Sequence, residues 1–131
     1  MIVSIGIDII EIERVREVLA RTPRFRERVF TEAEREYCDR RGAQSAQHYA
    51  ARFAAKEAAF KALGTGWSGG LGWHDVEVVS KESGEPALVL HASALEIFNR
   101  TGSTHAHLSL SHTSQHAVAQ VIFERRAEET K

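Results

Sequence analysis

The sequence predicts an α+β fold in which an antiparallel sheet packs against one long helix. Three observations carry this prediction. The segment Ile2–Ile10 alternates isoleucines with small or polar residues, as a strand does. Residues 45–63 contain neither Gly nor Pro and are rich in alanine, which favours a long helix. The second half of the chain consists of short alternating segments between turn residues, which is typical of antiparallel strands.

The N-terminal strand is predicted to have two unlike faces. One face carries three isoleucines, at positions 5, 7 and 9. The other face carries Ser4, Gly6 and Asp8, because successive side chains of a strand point in opposite directions. Asp8 therefore points away from the isoleucines.

Two helices of moderate length are predicted next. Apolar residues recur at helical spacing at Ile12, Val15, Val18 and Leu19. The Arg21-Thr22-Pro23 segment is expected to end this helix, since proline cannot continue one. Thr31 followed by Glu34 forms a capping-box pattern that opens a second, shorter helix, which ends near Gly42.

The long helix is predicted from Ser45 to Leu63, and the Gly64-Thr65-Gly66 turn stops it. Beyond it, Val76 and Val78 indicate a strand, Gly84-Glu85-Pro86 a turn, and residues 88–90 the returning strand of a hairpin.

A further helix and two strands complete the prediction. Ser93 and Glu96 form a second capping-box pattern, for a helix that ends at Gly102. His107–His112 and Ala117–Phe123 are then predicted as two strands around a short loop.

Length and charge restrict the possible functions. The 131 residues suffice for one domain, spanning 1–131, with 125–131 expected as a frayed tail. Seventeen Lys and Arg against eighteen Asp and Glu give a net charge of −1, which excludes the strongly basic surface of a nucleic-acid-binding protein. The charge is uneven, because Glu11–Lys61 contains twelve cations and nine anions, whereas Ala62–Lys131 contains five and eight. The basic excess is therefore N-terminal.

The sequence also predicts a cytoplasmic location and no membrane partner. Cys38 is the only cysteine, so no intrachain disulfide can form, which fits a reducing compartment. The first ten residues include Asp8 and lack the basic and long apolar regions of a signal peptide, and no apolar stretch reaches membrane-spanning length.

The predicted long helix carries a carboxylate, Glu57, at the centre of an apolar stripe. The stripe consists of Tyr49, Phe53, Phe60 and Gly64. Burying a carboxylate there is costly unless it is paired, hydrogen-bonded or bound to a cation. Lys61 lies one turn further on, at the edge of the stripe.

Asp8 is a second carboxylate that would meet Glu57 if the first strand packs beside the long helix. Two such carboxylates repel each other unless one is protonated or a metal ion lies between them. Oxygen ligands of this kind favour Mg²⁺, which takes one or two carboxylates and completes its shell with water and substrate phosphate. The pair therefore implies a substrate that carries a diphosphate.

Spacing alone leaves other interpretations open. Glu57 and Lys61 could form a structural ion pair at the rim of the core. The predicted strand that begins at His107 has one polar face, which could contact a ligand or simply face solvent. His105 and His107 could form a zinc pair, although no Cys or positioned third ligand accompanies them.

Six arginines are concentrated in fifteen residues of the basic half: Arg14, Arg16, Arg21, Arg24, Arg26 and Arg28. They could form a solvated, salt-bridged helix face. They could equally form a docking surface for an acidic protein, for which charge speeds encounter and fixes orientation. Phe25 is the one aromatic residue among them, so they lack the series of aromatic side chains that a nucleic-acid stacking platform requires.

Three sequence blocks carry a resemblance to a known family. They are Ile5-Gly6-Ile7-Asp8-Ile9, the segment from Arg52-Phe53-Ala54-Ala55-Lys56-Glu57 to Gly64-Thr65-Gly66, and Leu108-Ser109-Leu110-Ser111-His112-Thr113. With these blocks, in this order and spacing, the chain resembles the holo-acyl-carrier-protein synthases, the small single-domain members of the 4′-phosphopantetheinyl transferases. The resemblance covers 1–124.

The resemblance implies transfer of the 4′-phosphopantetheine group from coenzyme A to a serine of an apo acyl carrier protein, which releases adenosine 3′,5′-bisphosphate. Asp8 and Glu57 match the family's Mg²⁺ ligands, and Lys61 matches the lysine beside the transferred phosphate. A carboxylate or a metal-bound water would take the serine proton. The resemblance leaves open whether the carrier serves fatty-acid or polyketide synthesis.

The resemblance also implies binding residues and an assembly. His107 and the Gly64, Thr65 and Gly66 turn match positions that line the coenzyme A site, and Pro86 matches one near its adenine. The positions that grip the acidic helix of the carrier are matched by Arg14, Arg21, Arg24, Phe25 and Arg28. Family members of this length are homotrimers whose active sites lie between adjacent subunits.

One departure and one alternative complete the interpretation. Phe60 stands where the family frequently has a small polar residue, which would reshape the pocket near Lys61. The alternative function is a binding module that holds coenzyme A or a carrier without transferring the group, and the intact set of Asp8, Glu57 and Lys61 favours the enzyme.

Overall fold

The chain places one strand, four successive helices and then two strand pairs separated by a helix around the long helix of residues 45–63, and the computed structural model describes residues 1–64 and 70–127. The strands and α-helices, in chain order, are β1 (Ile2–Glu11), α1 (Ile12–Arg21), α2 (Pro23–Val29), α3 (Glu32–Asp39), α4 (Ser45–Leu63), β2 (Val76–Ser80), β3 (Pro86–Leu90), α5 (Ala92–Arg100), β4 (His105–His112) and β5 (His116–Glu124). Short 3₁₀ turns at Gly42–Gln44 and Trp73–Asp75 precede α4 and β2.

The strands form two antiparallel sheets. The larger sheet has the order β1-β5-β4, and the smaller one is the β2-β3 hairpin. Within the larger sheet Asp8 lies opposite Ala119, which in turn lies opposite Leu110. The predicted α+β fold with antiparallel strands and one long helix is confirmed.

Helix α4 is buried on nearly all sides because it is covered by the large sheet, the hairpin and the other helices. Its alanines Ala54, Ala55, Ala58 and Ala59 are fully buried, and these small side chains let neighbouring backbones approach closely. The closest approach is at Gly6 of β1, where a Cβ atom would lie 1.8 Å from the carbonyl oxygen of Ala58. Glycine is therefore required at position 6 by the contact between β1 and α4.

The alternation predicted for β1 has the expected directions. Ser4, Gly6 and Asp8 face α4, and the Ser4 hydroxyl donates to the carbonyl oxygen of Ala62 at 2.8 Å. The three isoleucines on the opposite face are 56–61% exposed. The outer surface of the large sheet is thus apolar along β1.

Several local predictions were wrong. Pro23 follows the end of α1, as predicted, but it also begins α2. This helix was not predicted from the sequence. Proline is compatible with its first turn, where no backbone N–H is needed. Helix α5 begins at Ala92, and Ser93 makes no capping hydrogen bond, so the second capping box does not form. Strand β4 begins at His105 rather than His107. The capping box of Thr31 and Glu34 is confirmed.

None of the described helices is both long and apolar enough to cross a membrane.

Candidate active site

The contact between β1 and α4 brings Asp8 beside the C-terminal half of α4. The ammonium group of Lys61 lies 3.1 Å from Asp8 Oδ1 and donates to the carbonyl oxygen of Ile7 at 3.0 Å. The Lys61 side chain is 56% exposed and that of Asp8 only 16%, so the lysine reaches over the carboxylate from the solvent side. Among the described residues, the ion pair of Lys61 is with Asp8 and not with Glu57 one turn away. The predicted alternative of a Glu57 and Lys61 pair is therefore not formed.

Glu57 is not at the centre of an apolar stripe, as the helical wheel suggested. Its line on α4, with Phe53 before it and Lys61 and Gly64 after it, is the least buried line of the helix. The wheel misled because α4 has alanine on every side and thus no distinct polar face. Tyr49 and Phe60, assigned to the same stripe, are buried elsewhere in the core. The ring centroids of Phe60 and Trp73 lie 5.2 Å apart, so Phe60 packs in the core, and its effect on a pocket near Lys61 stays a prediction.

The electrostatics of the pair suit a cation. Burial raises the pKa of Glu57 above its usual range, and the negative charge of Asp8 raises it further, while Lys61 opposes them. Asp8 Oδ2 is buried and accepts no hydrogen bond from the described residues. An unpartnered buried carboxylate oxygen next to a second carboxylate fits Mg²⁺, which needs only one or two protein carboxylates. Within residues 1–64 and 70–127 no third His, Cys, Asp or Glu joins them to complete a cage.

An apolar groove of about 310 Å³ lies between β1 and the helices α1, α2 and α4. Its walls include Ile9 of β1, Val18 of α1, Phe25 of α2 and Phe53 of α4, and Arg14 lies at its edge. Asp8 and Glu57 do not line the groove, but each lies on an element that does, since Asp8 precedes Ile9 on β1 and Phe53 lies one turn before Glu57 on α4.

The arginines of the basic half divide into two groups. Arg16 pairs with Glu13 and Arg26 pairs with Asp39. The four arginines expected to dock a carrier are exposed and make no ion pair with any described residue: Arg14, Arg21, Arg24 and Arg28. Arg14 lines the apolar groove, and the other three lie on helices α1 and α2, which contribute to its walls; uncompensated cations in this position fit an acidic, amphipathic partner.

A second cavity, of about 170 Å³, lies at the β4 edge of the large sheet. It is lined by Tyr37, Gln47, His48, Ala51, Arg52, Ser80, Gly84, Pro86, Leu110, Ser111 and His112. Arg52 is only 3% exposed, and its Nε has no hydrogen-bond partner among the described residues. Its guanidinium lies 3.9 Å from the ring centroid of Tyr37. A buried guanidinium that opens into a cavity is suited to an anion.

The residues expected to line a coenzyme site are only partly brought together. Pro86 lines the Arg52 cavity and also a separate one of about 220 Å³ with His107 and Lys81. His107 is exposed on the outer sheet face, where it pairs with Glu124, so it lies on the opposite face of the sheet from Asp8. Gly64 ends α4 with φ +82°, which favours glycine.

Thr65, Gly66 and the end of the expected tail, 128–131, lie outside the described residues. His105 does not share a ligand with His107: its Nδ1 lies 2.8 Å from the Thr104 hydroxyl, and no third metal-binding side chain of the described segments accompanies the two histidines.

Sequence reasoning missed Gln47, Arg52 and His112 as a group. Arg52 and His112 are both in the blocks that carry the family resemblance, which was the available signal. Their convergence depends on the contact between α4 and β4, and no spacing in the sequence reveals it.

The fold and the site together define a class of protein: a small α+β domain with a carboxylate pair, an adjoining lysine and a cationic cavity, as a group-transfer enzyme for an anionic substrate requires. The model of the 4′-phosphopantetheinyl transferase superfamily matches residues 4–121, and the chain belongs to that family.

Curated relatives are similar along nearly the whole chain. The holo-[acyl-carrier-protein] synthase of Koribacter versatilis is 48% identical over 125 residues, which cover 95% of this chain and 99% of that protein. The enzyme of the same name from Geobacter metallireducens is 49% identical over 126 residues, with coverage of 95% and 99%. The crystal structure of a holo-(acyl-carrier-protein) synthase from Bacillus anthracis in complex with CoA superposes with a TM-score of 0.79 at 39% identity, covering 96% and 99% of the two chains.

Proposed function

We propose that the chain transfers the 4′-phosphopantetheine group of coenzyme A to a serine of an apo acyl carrier protein, releasing adenosine 3′,5′-bisphosphate. The observation that carries the proposal is the contact between β1 and α4, which sets Asp8 beside Lys61 and near Glu57 on two elements that also line an apolar groove with the unpaired Arg14 at its edge. That arrangement offers a site for a diphosphate and, next to it, a surface for an acidic protein. Relatives with this name and similarity to the whole chain support it.

In the proposed reaction, the serine oxygen of the carrier attacks the phosphorus that bears the pantetheine. The bond between that phosphorus and the oxygen of adenosine 3′,5′-bisphosphate breaks, the leaving group keeps the electron pair, and the serine proton would pass to a carboxylate of the site or to water. Asp8 and Glu57 would hold Mg²⁺, which when bound supplies positive charge against the diphosphate. The exposed ammonium group of Lys61 is within reach of the same phosphate oxygens and stabilises the charge that develops on them.

The coenzyme and the carrier would use the two cavities already described. We assign the adenosine phosphates to the Arg52 cavity, where the buried guanidinium and His112 face an anionic ligand. The carrier occupies the groove at Phe25 and Phe53, with its acidic residues at Arg14, Arg21, Arg24 and Arg28. This places its serine at the carboxylate pair.

A homotrimer is part of the proposal, because one subunit cannot present both halves of the site to one substrate. His48 of the Arg52 cavity and Glu57 are nine residues apart on α4, which puts them on opposite sides of the helix at about 100° per residue. A neighbouring copy would supply the missing half. The exposed isoleucine strip of β1, at 56–61% exposure, gives such a copy an apolar surface to cover. We also propose a cytoplasmic location, in keeping with the single buried thiol of Cys38.

A mass measurement tests the reaction. An apo acyl carrier protein incubated with the protein, coenzyme A and Mg²⁺ should gain the mass of one phosphopantetheine. Asp8→Asn and Glu57→Gln, which keep the shape of the side chains, should abolish the gain and weaken Mg²⁺ binding measured by calorimetry. Binding of coenzyme A and carrier without any gain in mass would instead identify a binding module, and a gain without added metal would refute the role of the carboxylate pair.

A complementation experiment tests the shared site. Glu57→Gln and Arg52→Gln subunits, each inactive alone, are coexpressed with different tags and purified through both tags. If each site combines Glu57 of one subunit with Arg52 of the next, every mixed trimer has one intact site out of three, so about a third of the sites recover in the doubly purified protein. No recovery in verified mixed oligomers would show that each subunit holds a complete site.

A further inference from the structure

Helix α2 is too short to be stable alone, yet it carries three of the five residues proposed to dock the carrier. It spans seven residues, Pro23–Val29, whereas isolated helices shorter than about 12 residues are marginal in water. Arg24, Phe25 and Arg28 lie on it. Their positions depend on whatever fixes α2 to the rest of the protein.

Arg26 faces the other way and anchors the helix. At about 100° per residue it points half a turn away from Arg24 and Arg28. Its Nε donates to the hydroxyl of Tyr49 on α4 at 2.9 Å, and its Nη2 pairs with Asp39 of α3. The Tyr49 hydroxyl in turn donates to Asp39 Oδ1 at 2.6 Å. The three side chains therefore close a ring of charge-assisted hydrogen bonds among three helices.

The ring is held in a rigid environment. Tyr49 is 1% exposed, and its phenol ring packs 4.8 Å from the ring of Phe30, which directly follows α2. A tyrosine fixed in this way gives Arg26 one preferred position, so the orientation of α2 is defined as well as its attachment.

We propose that Arg26, Tyr49 and Asp39 are positioning residues for carrier recognition: they orient α2 so that its docking side chains meet the carrier, although none of the three faces the groove. The proposal rests on the proposed function, in which this groove takes the carrier. It also assigns Arg26 a role different from that of the docking arginines.

The sign of a charge change separates positioning from electrostatic attraction. Asp39→Asn makes the basic half more positive, so attraction alone predicts tighter binding of an acidic carrier. Positioning predicts weaker binding, because Arg26 loses its charged partner. We expect the Kd and the KM for the carrier to rise about five- to tenfold, with the KM for coenzyme A unchanged and kcat within about twofold.

A matched control for Asp39→Asn is available on α3, the helix that carries Asp39. Arg40, which directly follows α3, forms an exposed ion pair with Glu36 of that helix, outside the ring of Arg26, Tyr49 and Asp39. Glu36→Gln removes the same charge as Asp39→Asn, and Arg40→Gln the same charge as Arg26→Gln. Both control variants should leave the carrier KM within about twofold. Tyr49→Phe removes only a hydroxyl and should reproduce the rise in carrier KM at constant charge.

The measurements are calorimetric titration of an apo acyl carrier protein and the transfer assay with each substrate varied, after thermal melts that show folded variants. A carrier Kd that falls or stays constant in both Asp39→Asn and Tyr49→Phe would overturn the positioning role. An equal rise in both KM values would do the same, because it would indicate a general structural defect. Wild-type protein that binds the carrier without transfer would refute the proposed function alone, since the Kd comparison still holds.

Discussion

Gly6→Ala is the most direct test of how the fold builds the site. The added Cβ would lie 1.8 Å from the carbonyl oxygen of Ala58 and 3.0 Å from the amide nitrogen of Ala62. Both are backbone atoms of α4, so no side chain can rotate away. Ordinary contact begins near 3.4 Å, and the strand must therefore move away from the helix by about 1.6 Å.

The cost follows from that displacement. Overpacking a core typically costs about 1–3 kcal/mol, and a clash between two backbones belongs at or beyond the upper end of this range. Asp8 is two residues further along the same face of the strand and moves with it, which widens the 3.1 Å contact between its carboxylate and Lys61. We expect a free energy of unfolding lower by about 3 kcal/mol or more and a clear loss of kcat.

Urea unfolding at a fixed protein concentration measures the first effect, and the transfer assay measures the second. Gly72→Ala is the matched control, because Gly72 has an ordinary negative φ of −106° and the nearest atom to its Cβ is 3.7 Å away. It should change stability by less than about 0.5 kcal/mol. A Gly6→Ala variant as stable as this control would refute the inference that the contact between β1 and α4 requires glycine.

Three further outcomes follow from buried or paired groups. Lys56→Met should cost about 3–5 kcal/mol in urea unfolding, because it leaves the fully buried Glu34 unpaired, and the added change Glu34→Gln should recover part of the loss. Burial raises the pKa of the Cys38 thiol to about 12, so alkylating reagents should react with it only as fast as the protein unfolds, and reaction in the native state at the rate of a free thiol would contradict this. Burial alone would raise the pKa of Asp39, but hydrogen bonds from Arg26 and Tyr49 outweigh it and lower the pKa below its usual range. The stabilisation from Asp39 is therefore present above the pKa of the unfolded state and lost as the pH falls through the lower folded value, so the stability difference between wild type and Asp39→Asn should shrink below about pH 4.

The sequence predicted most of the elements because their signals are local. Alternation identified β1, the absence of Gly and Pro identified α4, and the pair Thr31 and Glu34 identified the start of α3. Helix α2 escaped prediction because Pro23 is compatible with both the end of one helix and the first turn of another. Deciding between them needs the contacts that α2 makes with α4, which are distant in sequence.

The site was predictable only in part for a related reason. The sequence predicted that Asp8 meets Glu57 if the first strand packs beside the long helix. Gly6, on the same face of the strand as Asp8, permits that close approach. The side of α4 on which each charged residue lies was not predictable. Alanines occur on all sides of this helix, so a helical wheel shows no distinct apolar face from which the buried side could be identified. Lys56 and Glu57 are adjacent in sequence, yet the lysine is fully buried against Glu34 and the glutamate is partly exposed near Asp8.

The placement of charges around α4 has a consequence for the assembly. Arg52 and Lys56 lie on one side of the helix. Arg52 lines a cavity there, and Lys56 binds Glu34 of α3 and the carbonyl oxygen of Val76 of β2. Glu57 and Lys61 are committed to the other side, beside β1. A helix of one chain cannot turn both sides toward one coenzyme, and the exposed strip on β1 gives a second copy a surface to bind. Because the outer face of β1 bears the isoleucines and its inner face bears Asp8, the same strand that would join two subunits also carries the carboxylate of the site. Ile7 faces solvent in the isolated chain. Ile7→Asp should therefore abolish the oligomer, measured by sizing, and the transfer activity. The isolated subunit should still melt cooperatively.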